Sequence, residues 1–114
     1  MTVATTTPTH AAVTSSLTIP RFRAWLESKD PREIVGKRRA CGFCPVAEFL
    51  RAQFPGIFDL RVFEDTVRWG SRSAFIPAPK WVDAFIFRVD RDARATATAG
   101  HCLRILETLE KALA

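Results

Sequence analysis

The residues best suited to chemistry are two thiols in the stretch Cys41-Gly42-Phe43-Cys44-Pro45, which opens directly into an amphipathic helical pattern. A thiol does redox chemistry as its thiolate, and a helix N-terminus and nearby cations both favour that form. Lys37, Arg38 and Arg39 stand just upstream. The same thiols could instead supply half of a zinc site, with His101 and Cys102 completing a set of three Cys and one His. The obstacle is that His101 and Cys102 are adjacent, and neighbours on a helix point ~100° apart. His10 is a further ligand candidate if the N-terminal segment orders around an ion. The third reading is packing, because a free Cys behaves as a small buried hydrophobe and Cys102 falls on an apolar helical stripe. A nucleophilic pair of Cys41 or Cys44 with His101 lacks an assignable Asp or Asn to orient it.

In isolation Cys-Gly-Phe-Cys resembles the Cys-x-x-Cys motif of thioredoxin-like oxidoreductases. That resemblance covers four residues. It implies a dithiol redox pair, a hydrophobic strand leading into the motif, a βαβ arrangement and a cis-proline facing the thiols. In this chain Gly36-Lys37-Arg38-Arg39-Ala40 stands where the strand would be, and Pro77 is the candidate for the proline.

The basic residues suggest binding. Lys37-Arg38-Arg39 forms a short cationic run, Arg68 and Arg72 flank Trp69, and Arg88, Arg91 and Arg94 lie further on. A cationic loop beside an Arg/Trp hairpin can meet phosphates and stack a base. Glu64, Asp65, Asp90 and Asp92 dilute these clusters, as on an ordinary mixed-charge surface. No helix-turn-helix, zinc-finger spacing or RNA-binding aromatic motif is present, nor is a phosphate loop, nucleophile elbow or calcium loop.

The elements that must position these groups follow from periodicity. Residues 1–19 are rich in Thr, Ser and Ala and contain no acid, which reads as a flexible tail without the charged and apolar regions of a secretory signal. Phe22, Trp25 and Leu26 then recur at helical spacing behind Thr18-Ile19-Pro20, and Asp30-Pro31 ends the helix. Asp30 can cap a further turn from Pro31 to Val35, stopped by Gly36. Pro45 opens a second helix with Val46, Phe49, Leu50 and Phe54 on one face, closed by Pro55-Gly56. Phe58, Leu60 and Val62 alternate with Asp59, Arg61 and Phe63 as a strand, and Val67 to Trp69 returns as its hairpin partner. Gly70 to Pro79 reads as loop. Residues 80–90 fit both helix and strand, and the helix is preferred. Ala99, Cys102, Leu103, Leu106, Leu109 and Leu113 trace a last helix, with Thr96 or Thr98 as its cap.

The expected fold is therefore α+β: about four short helices packed on a small antiparallel β-hairpin, with residues 20–114 forming a single small domain. At 114 residues, 47% of them hydrophobic, the chain can bury one core, and no apolar run reaches the ~20 residues of a membrane helix. The absence of Tyr excludes phenol chemistry, and three Cys argue against a disulfide framework and for a reducing, cytoplasmic setting. A formal charge of +5 favours an anionic partner. The function that emerges is binding rather than catalysis. A protein partner is favoured at Lys37–Arg39 and Arg68-Trp69-Gly70, with dithiol redox or zinc chemistry and nucleic-acid binding as alternatives. The oligomeric state is open, a homodimer included.

Overall fold

The computed structural model describes residues 7–70, 74–91 and 95–113. In order these form α1 (His10–Ser16), α2 (Ile19–Glu27), β1 (Ile34–Lys37), α3 (Pro45–Gln53), β2 (Arg61–Val62), β3 (Thr66–Trp69), β4 (Ala74–Pro77), α4 (Lys80–Arg91), β5 (Thr96–Thr98) and α5 (Ala99–Leu113). The class is α+β, with helices packed on two small antiparallel sheets. No helix among the described residues is long and apolar enough to cross a membrane.

Helices start where a side-chain acceptor meets an orphan backbone donor. Thr18 caps α2 by accepting from the Arg21 N–H, with Pro20 in the first turn. Cys44 caps α3, and the Thr98 hydroxyl accepts from the His101 N–H at the start of α5. The apolar faces of α3 and α4 converge on Phe22 of α2. Its fully buried ring lies 5.4 Å from Phe49, 5.0 Å from Phe85 and 5.4 Å from Trp81, centroid to centroid. Residues 80–91 are helical, with Trp81, Val82, Phe85, Ile86 and Val89 buried.

Four local expectations change. The segment read as a tail carries α1, whose Val13 is fully buried; residues 1–6 lie outside the described residues. The Pro31–Val35 turn is not helical, and Ile34–Lys37 is instead strand β1, antiparallel to β5. Gly36 is the reason for its placement: a Cβ there would meet the Pro45 nitrogen at 2.4 Å, so only glycine lets β1 pass this close to the start of α3. The strand expected from Phe58 shortens to Arg61–Val62, and the ring of Phe58 is exposed. Finally, Ala74–Pro77 within the expected loop forms β4, which turns the hairpin into a three-stranded sheet in the order β2-β3-β4.

Candidate functional site

Each backbone N–H of the cationic run has a hydrogen-bond acceptor elsewhere in the chain. The Lys37 N–H donates to the Phe43 carbonyl at 2.8 Å and the Arg38 N–H to the Ala95 carbonyl at 3.1 Å. The Arg39 N–H donates to Asp90 Oδ1 at 2.8 Å, with Arg39 in the left-handed region at φ 55°. The Val62 N–H donates to the Cys41 carbonyl at 2.8 Å, so the loop runs beside β2. A cleft lies on each side of it. One, of about 560 Å³, has Val62, Ile86 and Cys44 on its walls and the carboxylates of Glu64, Asp65, Asp83 and Asp90 against the single cation Arg39. The other, of about 440 Å³, gathers Arg39, Arg51 and Arg61 with one carboxylate, Asp59, and the ring of Phe43.

That ring is 56% exposed and flanked by cations, with Lys37 Nζ 5.6 Å and Arg51 Cζ 5.1 Å from its centroid. Arg51 is fixed in turn by donating to the Gly42 carbonyl and pairing with Glu48.

The second cationic cluster lies on the three-stranded sheet. Arg61 stands opposite Arg68, and Arg68 opposite Phe75. Directly paired residues project to the same face. All three are exposed, whereas Val62, Val67, Trp69 and Ile76 turn inward to the core. The outward face therefore carries a row of two guanidinium groups and an aromatic ring. Among the described residues, neither Arg61 nor Arg68 makes an ion pair. Arg61 also lines the cationic cleft, which joins the sheet row to the Arg39 loop.

Trp69 does not belong to this surface. It is 1% exposed, its indole Nε1 donates to the Pro8 carbonyl at 3.3 Å, and His10 packs edge-on at 5.5 Å. The expected Arg/Trp platform is thus replaced by Arg61, Arg68 and Phe75, because strand alternation sends Arg68 outward and Trp69 inward. Arg72 and Arg94 lie outside the described residues. Phe75 carries no functional signal in the sequence, because Gly70 and the prolines around it spell loop. The local hint of a strand is the apolar run Ala74-Phe75-Ile76, which does not say which side chain faces out.

The thiols are placed differently from the redox and zinc expectations. Cys44 is 4% exposed, and its Sγ accepts from the Ala47 N–H at 3.4 Å as the cap of α3. Burial outweighs that hydrogen bond and pushes the thiol up to about 11. Cys102 is fully buried, and burial pushes it up to about 12, with a smaller contribution from Cys44. Cys41 is half-buried on the shared wall of both clefts, and all three are free cysteines. Among the described residues no three of His, Cys, Asp and Glu come together as a metal site, so His101 and His10 do not complete a ligand set with the thiols. A strand does precede the Cys-x-x-Cys, but it pairs antiparallel with β5 rather than in a parallel βαβ unit, and Pro77 lines neither cleft beside Cys41.

No known protein family, curated protein or solved structure matches this chain.

Proposed function

We propose that this protein is a binding module that presents the outward face of its three-stranded sheet to an anionic partner. The observation that carries this reading is the register Arg61–Arg68–Phe75, which sets two cations without ion-pair partners among the described residues beside an exposed ring. The net charge of +5 adds long-range attraction of the same sign. The dithiol alternative draws no support from Cys44, which stays a thiol at neutral pH because burial dominates its surroundings.

The test compares two double variants of equal charge. Arg61→Ala/Arg68→Ala removes the sheet pair; Arg88→Ala/Arg91→Ala removes two exposed cations from α4. Affinity for dextran sulfate, a polymeric anion with no bases, is measured across a salt series. The sheet variant is expected to bind more weakly and to lower the slope of log K against log salt by about two, one for each lost ionic contact. The α4 variant retains the wild-type slope. Equal losses in both variants would mean that net charge alone drives binding and that the sheet face is not the recognition surface.

A further inference from the structure

We infer that the anionic ligand of the sheet face is a single strand of nucleic acid, with one base stacked on Phe75 and the backbone running along Arg68 and Arg61. The inference rests on the sheet-face reading above and adds the chemical class of the ligand. Its physical basis is the alternation of two kinds of contact along one line. Phe75 is 56% exposed on a β-strand and its ring is not spent on the core. An exposed ring on a sheet is a stacking platform for an unpaired base, and every base has a π-face to offer it. Arg68 and Arg61 follow at successive strand spacings, so the row from Phe75 to Arg61 is ~10 Å long. A guanidinium can hold a phosphate through paired N–H donors or lie flat against a base.

Arg61 also lines the cationic cleft, where the ring of Phe43, flanked by Lys37 and Arg51, repeats the combination of ring and cations. An acidic peptide would satisfy the arginines but gives no reason for the exposed ring of Phe75 beside them or of Phe43 in the cleft that Arg61 lines. Duplex DNA keeps its bases stacked on one another and would leave both rings unused. A single strand uses the cations and the rings together.

The experiment is fluorescence anisotropy with a labelled oligothymidine of about 15 nucleotides at about 50 mM salt, beside dextran sulfate as the base-free polyanion. Phe75→Ala removes the ring; Phe75→Trp keeps a stacking surface and controls for folding. Phe75→Ala is expected to weaken oligothymidine binding roughly ten-fold or more. Phe75→Trp should stay near wild type, and dextran sulfate should bind all three proteins alike. Oligothymidine binding that ignores Phe75→Ala, or no oligothymidine binding, overturns the nucleic-acid inference. If dextran sulfate affinity still depends on Arg61 and Arg68 in that case, the anionic-partner reading stands and points to an acidic protein segment. If it does not, both fall.

Discussion

Burial sets the chemistry of the thiols at the level of single residues. Cys44 has what is usually said to activate a thiol: a helix N-terminus and a backbone N–H aimed at sulfur. Sequence displays those features and does not display the desolvation that defeats them. The consequence is a pH dependence of stability. In the folded protein Cys44 and Cys102 keep their protons up to about 11 and about 12, against an ordinary 9.0. Between those values the unfolded chain has lost protons that the folded chain still binds, so stability falls as pH rises. At pH 8 and below nearly all of both states hold the proton, and neither thiol contributes an appreciable slope. Urea unfolding midpoints should therefore be insensitive to these groups at pH 7–8 and decline through pH 9–11, by up to about 1.4 kcal/mol per pH unit per thiol. Cys102→Ala should remove part of that alkaline decline while lowering stability at neutral pH, which urea titrations at pH 7.5 and 10 will separate.

Close approach between elements decides what periodicity cannot. Gly36 is a reasonable helix stop when only its neighbours are considered. In the fold it is the point where β1 passes the first turn of α3, with room for a hydrogen and no more. Gly36→Ala is expected to cost about 3 kcal/mol or more, because the added carbon meets backbone and the ring of Pro45 rather than a side chain that can turn away. Thermal unfolding with circular dichroism will measure it; a shift of only a degree or two would mean that β1 can slide outward without loss. The three-stranded sheet teaches the same lesson. β2 and β3 are legible from alternating apolar residues, but β4 is four residues long and ends in Pro77, so only its pairing with β3 makes it a strand. That pairing brings Phe75 beside Arg68 and so completes the proposed binding row.

The N-terminal segment is part of the core of the whole molecule. Its composition says tail, yet Val13 and Leu17 pack inside, the Leu17 carbonyl accepts from Trp81 Nε1 at 3.2 Å, and the Pro8 carbonyl accepts from Trp69 Nε1. Trp69 is thereby turned under the sheet it was expected to display. Val13→Ala should destabilise the whole domain by ~2 kcal/mol, for lost apolar burial and the cavity it leaves. Unfolding followed by tryptophan fluorescence and by circular dichroism should shift together. No change in either would mean that the segment is dispensable to the core.

Local pattern alone carried the α+β class, a helix behind Thr18-Ile19-Pro20, a helix opening at Pro45, a last helix from Ala99 to Leu113 and a return strand at Val67 to Trp69, while it left Thr96 and Thr98 equal as caps and ran the first hairpin strand back to Phe58. These rest on local spacing and capping, which one stretch of chain displays without the rest. The burial of Cys102 is likewise legible in its apolar stripe, but tertiary contacts decided that Cys44 is desolvated, that Trp69 faces in while Phe75 faces out, and that Arg39, Arg61 and Arg68 lie along one surface. Each of those depends on which distant segment lies against a residue, and a contact across dozens of positions leaves no period in the sequence to read.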